Sequence, residues 1–171
     1  MEGENVDFSG VNGTWNNCGA SLTPWNTMLS SEEYEPLAIP VEWIRNVEMM
    51  SDYLGEQANP YDYGYLVEVS PDEGGDSVAS LVEKRYAMGR FSHEMGIIMP
   101  DEITSYHGDD GTGTVLFKFV ADEAGDLSTG TLYAAAVTQD DDSLSLKWIE
   151  LGSADDDEIA EGLAELEFAA E

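Results

Sequence analysis

Apolar and polar positions change period several times along this chain. Residues 1–12 are polar, carry no sustained period and read as a loop or loose end. Residues 13–18 and 23–31 read as two extended segments, with Pro24 near the start of the second, where a strand tolerates it. Beyond Pro40 the spacing becomes helical. Trp43, Val47, Met50 and Leu54 fall at i, i+4, i+7 and i+11, the stripe of one helix face. Pro40 suits a first helical turn and Gly55 the position past the end, so the pattern predicts a helix over 41–54. Residues 55–63 read as a loop.

Short period-two segments separated by turn signals follow. Gly64–Ser70 alternates, with Tyr65, Val67 and Val69 on one face, and Pro71-Asp72-Glu73-Gly74-Gly75-Asp76 is a turn by composition. Leu81–Phe91 reads as extended and runs into Ser92-His93-Glu94. Ile103–Tyr106 is a short strand and His107–Gly113 a loop. Thr114–Val120 and Thr131–Thr138 are strands joined by a turn over Asp122–Gly130, and Leu144–Leu151 alternates through Leu144, Leu146 and Trp148. The tail, Asp155–Phe168, places Ile159, Leu163 and Leu166 on one helical face. Its acidic start suits the positive end of a helix dipole. Seven or eight short strands at near-regular spacing, with two short appended helices, predict a mainly β chain built as an antiparallel β-meander. A propeller, a barrel or a sandwich would each satisfy that pattern. No strict repeat is visible. The expected organisation is a polar N-terminal segment (1–12), one β domain (13–152) and an acidic C-terminal helix (153–171).

Composition sharpens this picture. A length of 171 residues is one domain by the usual prior, and 42% apolar residues suffice for a core. The 36 acidic residues against 6 basic ones give a net charge of −30, which excludes nucleic acid and anionic membranes as partners. Because the acids run along the whole chain, the charge reads as solvation in concentrated salt, where screening over ~3 Å at 1 M removes self-repulsion. A salt-requiring, halophilic protein is the expectation. One cysteine excludes an internal disulfide. No apolar run approaches the ~20 residues of a membrane span. Met1-Glu2-Gly3-Glu4 lacks the basic and apolar regions of an export signal, which leaves localisation open.

Four groups carry candidate chemistry. Free cysteines are usually small buried hydrophobes, but Cys18 lies between Asn16, Asn17, Gly19 and Ala20, where a thiolate could ligate a soft or borderline metal. Glu32 and Glu33 end an extended segment and point to opposite sides, so one of them can share a site with another group. Gly89–Gly96 joins Arg90 to the pair His93-Glu94, shortly after Lys84 and Arg85, in a chain poor in cations. Asp109 and Asp110 offer hard oxygen ligands in the loop with His107. There is no Walker motif, no G-x-S-x-G, no H-E-x-x-H and no C-x-x-C.

The ordered set of segments resembles the PhoX-type alkaline phosphatases. It begins at Asn16-Asn17-Cys18-Gly19-Ala20 and continues through Thr23-Pro24-Trp25-Asn26-Thr27 to Ser31-Glu32-Glu33. It resumes at Tyr63–Val69, Met88-Gly89-Arg90-Phe91-Ser92-His93-Glu94, Gly113–Phe119 and Gly130–Ala135, and so covers most of 13–152. The resemblance implies part of a six-bladed β-propeller with an iron and calcium centre on its axis, hydrolysing phosphomonoesters, in a family whose members are often exported. It implies Cys18 as an iron ligand, Glu33 in preference to Glu32 as a metal carboxylate, and Glu94 as a further ligand. Asp109 and Asp110 are calcium candidates. Departures are Ser31, where the family commonly has a second cysteine, and Met95, where a small residue often follows the His-Glu pair. The family's downstream half has no counterpart after residue 152. The expectation is therefore a fragment, a decayed relative or a subunit completed by a second chain. The alternative is a non-catalytic binding or assembly module with vestigial ligands.

Overall fold

The computed structural model describes residues 6–38, 43–71, 81–164 and 166. Within them, nine strands form two antiparallel sheets, in each of which every strand pairs with its neighbour in sequence. The first sheet contains β1 (Asn17–Leu22), β2 (Met28–Glu32), β3 (Leu66–Ser70) and β4 (Leu81–Arg85). The second contains β5 (His93–Ile98), β6 (Thr104–Asp109), β7 (Leu116–Glu123), β8 (Asp126–Asp140) and β9 (Ser143–Asp155). Helix α1 (Trp43–Leu54) lies between β2 and β3 in sequence, and α2 (Asp156–Ala164) follows β9. The chain is mainly β, antiparallel and meandering, with two helices, as its pattern predicts. No described helix is long and apolar enough to cross a membrane.

Several boundaries differ from the sequence reading for physical reasons. Pro24 sits in the β1–β2 turn, not in the strand. There Asn26 takes φ 66°, and the Thr27 N–H donates to Thr23 Oγ1 at 3.0 Å. The extended reading of Leu81–Phe91 stops at Arg85, where Tyr86–Met88 form a 3-10 turn and Gly89 takes φ 92°. A side chain at Gly89 would also meet Leu132 Cδ2 at 2.7 Å. The predicted loop 107–113 is strand through Asp109, because buried His107 pairs with Phe117 across β6 and β7. The Asp122–Gly130 turn shrinks to the tip between Glu123 and Asp126, from which β8 runs for 15 residues. The predicted turn at Pro71–Asp76 falls, from Asp72 on, outside the described residues, as do Pro40 and the end of the tail helix.

The two sheets pack face to face. Leu29 and Leu66 of the first sheet share one buried cluster with Met88 and with Ile98, Phe119 and Leu127 of the second. Each such side chain, fully buried, contributes about 1.5–3 kcal/mol relative to exposure. At one edge the approach is tight. A side chain at Gly96 would meet Leu66 Cδ1 at 2.8 Å, and one at Gly19 would meet the Glu94 carbonyl oxygen at 2.5 Å. Ser21 Oγ donates to the Gly96 carbonyl at 2.6 Å. Edge strands β1 and β5 therefore touch almost backbone to backbone. A smaller cluster, Val47, Ala58 and Tyr63, anchors α1 with Trp15, Met50 and Leu54 around it, so Val47, Met50 and Leu54 of the predicted stripe face protein.

Candidate functional site

The β1–β5 edge brings together residues far apart in sequence. Asn17 opposes Glu32 in the β1–β2 ladder, and the Glu33 N–H donates to the Asn16 carbonyl at 3.3 Å, which fixes Glu33 beside Cys18. The Tyr34 N–H donates to Ser92 Oγ at 2.8 Å and the Asp110 N–H to the Ser92 carbonyl at 3.0 Å. Ser92 thus ties the end of β2, the start of β5 and the end of β6 to one point. Asn16 (φ 43°) and Tyr34 (φ 54°) flank this point in the left-handed region, which is uncommon for an asparagine and rarer for a bulky aromatic. The Trp15 indole N–H holds the Tyr34 turn through its carbonyl at 3.0 Å.

Electrostatics show which side chains face one another. The exposed Cys18 thiol is pushed above its ordinary pKa, first by hydrogen bonding to the Glu33 carboxylate, then by burial, then by the charges of Glu33, Glu94 and Asp110. The Tyr34 phenol is pushed up as well, first by hydrogen bonding to Asp110 and then to Glu33. A thiol, a phenol and three carboxylates therefore share one neighbourhood at the sheet edge. Of the sequence candidates, Cys18, Glu33, Glu94 and Asp110 come together here. Asp109 instead opposes His93 in the ladder. Tyr34 was not singled out in the sequence, where an isolated tyrosine between glutamates carries no signal. Donor types fit the expected metals in kind, since thiolate suits iron and carboxylate oxygen suits calcium. Among the described residues, no three His, Cys, Asp or Glu side chains are close enough together to hold one ion.

Glu32 has a different place from the one its candidacy as a metal ligand required. It is fully buried. Its Oε1 accepts the Trp15 N–H at 2.9 Å and faces Lys84 Nζ at 3.3 Å. Its Oε2 accepts the N–H groups of Gly64 and Tyr65 at 2.8 and 3.1 Å. Both oxygens are engaged inside the first sheet, so Glu32 is a structural carboxylate.

The cationic cluster that precedes His93 is likewise internal. Lys84 donates to the Asp62 carbonyl at 2.5 Å in addition to its contact with Glu32. Arg85 bridges Glu68 at 2.7 Å, Glu83 at 2.8 Å and Asp156 at 3.3 Å. Arg90 donates to the carbonyls of Tyr63, Pro36 and Pro60. His93 is buried and stacks on Phe91 with ring centroids 3.7 Å apart; burial lowers its pKa to about 4. Its Nε2–H donates to the Gly89 carbonyl at 2.9 Å. His107, also buried, is held neutral by burial and pairs through Nε2 with Ser105 Oγ at 2.7 Å. These two histidines pack the second sheet's inner face and are not free bases at the acidic edge.

Beside the acidic edge lies an apolar cleft of about 730 Å³, walled by Trp15, Tyr34, Met49, Met50 and Tyr53. Tyr34 is common to the cleft and the carboxylate cluster.

Comparison with known proteins adds to this geometry. A family model described as alkaline phosphatase PhoX matches residues 2–169. Among solved structures, "Pseudomonas fluorescens PhoX in complex with vanadate, a transition state analogue" is similar, with 26% sequence identity and a TM-score of 0.58. That match covers 81% of this chain and 30% of the Pseudomonas chain, so this chain spans under a third of its length. No curated protein matches.

Proposed function

The chain belongs to the PhoX alkaline phosphatase family, and we propose that it is a metal-dependent phosphomonoester hydrolase domain from a salt-adapted organism, incomplete in this chain. In this reading Cys18, Glu33 and Glu94 hold iron, and Asp110, with Asp109 nearby, holds calcium. The observation that carries it is the sign of the site. Three carboxylates, a thiol and a phenol share one neighbourhood, where hydrogen bonding to the carboxylates first, and their charge after it, raises the thiol and the phenol. Such a cluster repels a phosphate dianion and attracts a cation. The candidate cations of the preceding segment, Lys84, Arg85 and Arg90, are all engaged internally. Cations held by these residues would supply the charge to neutralise and orient a phosphoryl group and to activate an oxygen nucleophile. The protein's own part is to position ligands. Tyr34, kept protonated by its acidic neighbours, offers its O–H to the Asp110 carboxylate, with Glu33 beside it. The Ser92 contacts hold β2, β5 and β6 in register around them.

The chain spans 30% of its solved relative. The lack of a closed three-ligand group among the described residues favours one other reading, a non-catalytic module with vestigial ligands. Elemental analysis of protein purified in concentrated KCl, alongside hydrolysis of p-nitrophenyl phosphate, separates the two. Stoichiometric iron that is lost in Cys18→Ser and Glu94→Gln, with near-UV circular dichroism unchanged, supports the metal site. Equal iron content in the variants refutes the assignment. Robust turnover by the pure chain contradicts the proposed incompleteness.

A further inference from the structure

The apolar cleft beside the acidic edge is built by three separated segments of this chain. Trp15 comes from the run into β1, Tyr34 from the turn after β2, and Met49, Met50 and Tyr53 from α1. Helix geometry leaves α1 side chains free for it. Val47, Met50 and Leu54 pack against protein, whereas Met49 and Tyr53, one turn apart, are 82% and 64% exposed. The cleft is held in shape from within. The Trp15 ring lies 5.8 Å from that of buried Tyr63, and its indole N–H donates to the Tyr34 carbonyl at 3.0 Å. Gly13, at φ 78°, makes room for Met50, whose Sδ would stand 2.8 Å from any side chain there.

Its chemistry differs from that of the edge it adjoins. The chain carries 36 acidic residues, yet the described residues that wall the cleft include no carboxylate and no cation. Its volume of about 730 Å³ lies within the range of small-molecule sites, about 300–1,000 Å³. Tyr34 joins the two regions, with its side chain on the cleft wall and its hydroxyl at Asp110. Asn16 and Tyr34, both left-handed, sit along this seam. Such strain persists where the surroundings impose it, and it collects at ligand clamps. A protein segment packed into the cleft would close the carboxylate cluster on its Tyr34 side. A ligand with a charged end at the cluster and an apolar end in the cleft uses the seam as it stands. In concentrated salt, where charge acts over only ~3 Å at 1 M, burial of the apolar end does the selecting.

We infer that the cleft is the subsite for the leaving group of the phosphomonoester, and that this group is aromatic. Its ring lies among Trp15, Met49 and Tyr53, where aromatic faces and methionine sulfur favour it, and its phosphate faces the carboxylate cluster. On hydrolysis the oxygen of water joins phosphorus, the bond from phosphorus to the aryl oxygen breaks, and that oxygen leaves with a proton as the phenol. The inference rests on the phosphatase reading, and calorimetric titration in concentrated KCl with iron and calcium supplied tests the two separately. The probes are 1-naphthyl phosphate, glycerol phosphate and 1-naphthol, which has the ring without the phosphate. Naphthyl phosphate should bind the wild type at least about tenfold more tightly than glycerol phosphate. Tyr53→Ser and Met49→Ser alter exposed side chains, so near-UV circular dichroism should be unchanged. Each should weaken naphthol and naphthyl phosphate about tenfold and leave glycerol phosphate as it was. Naphthol that binds the wild type and is lost in the variants, with neither phosphate binding, upholds the cleft as an aryl site and refutes the phosphatase reading alone. Naphthol that does not bind the wild type, or binds both variants equally well, overturns the inference whatever the phosphates do, and leaves the cleft to a packed protein segment.

Discussion

Replacing Glu32 by glutamine should unfold much of the first sheet's stability without acting on a metal. The side chain is fully buried, and each oxygen has two donors: Trp15 N–H and Lys84 Nζ on Oε1, Gly64 and Tyr65 N–H on Oε2. A glutamine has one acceptor oxygen. Whichever way its amide lies, an NH₂ group faces two donors, and the Lys84 ammonium, itself fully buried, loses its counter-charge. Breaking one side of a buried pair costs about 3–5 kcal/mol, against a total stability of about 5–15 kcal/mol for a domain. With a urea slope of about 2 kcal/mol/M, the unfolding midpoint falls by about 1.5–2.5 M. Urea titration in concentrated KCl, followed by tryptophan fluorescence, measures this. Glu32→Gln combined with Lys84→Met removes both charges and should recover part of the loss. A midpoint shift under 0.5 M for Glu32→Gln alone would refute the reasoning, as would loss of bound iron at unchanged stability, which would return Glu32 to the metal site.

Three further outcomes are expected. Burial raises the Asp156 carboxyl to about 6, outweighing the Ala87 N–H and the Arg85 guanidinium, which both pull it down. A carboxyl with a raised folded pKa stabilises fully below its unfolded value of 3.8, and that contribution is lost as pH rises through 6. Relative to Asp156→Asn, the wild type should therefore lose up to about 3 kcal/mol between pH 4 and 6.5; a difference that stays constant with pH contradicts this. Gly19→Ala places a methyl 2.5 Å from the Glu94 carbonyl oxygen, a backbone atom that cannot swing away. The edge strands must part, at about 1–3 kcal/mol, and iron binding should weaken with them; wild-type stability in urea would show the contact to be looser than described. The net charge of −30 should leave the chain without a native near-UV spectrum in dilute buffer and restore it as KCl rises; full folding in dilute buffer would sink the halophilic reading.

What the sequence disclosed depends on how local each signal was. Helix α1 was legible because its apolar positions repeat with its own geometry, and Val47 is buried as that spacing requires. The opposite orientations of Glu32 and Glu33 were legible from strand parity alone, and one indeed points inward while the other faces Cys18. Strand β5 was not legible. A bulge at Glu94 shifts its parity between His93 and Met95, and its inward positions are a histidine, a glycine and an isoleucine. Strand β6 was read as too short because Gly108 and Asp109 look like loop residues, whereas the Ser105–His107 pair makes the strand's buried face polar. The cations Lys84, Arg85 and Arg90 look like a site in sequence and are interior ties in the fold; nothing local distinguishes the two roles. Tyr34 joins the site through a left-handed turn fixed by Trp15 and Ser92, a contact no spacing predicts.

The tertiary contact that matters most is also the one least visible in one dimension. Cys18 and Glu94 are 76 positions apart, and what unites them is the absence of a side chain at Gly19, which lets β1 reach the backbone of β5. On this acidic chain, carboxylates gathered at a sheet edge have two physical meanings, solvation or cation capture. Solvating acids spread apart to lower their repulsion. Here Glu33, Glu94 and Asp110 are held near one thiol by ladders and by Ser92, and Cys18 and Tyr34 are raised first by hydrogen bonding to these carboxylates and then by their charge. The same carboxylates that would repel phosphate are the ones a cation would bind first. On this argument the metal comes before the substrate, and the interior cations of the first sheet keep the scaffold neutral where it must be dry.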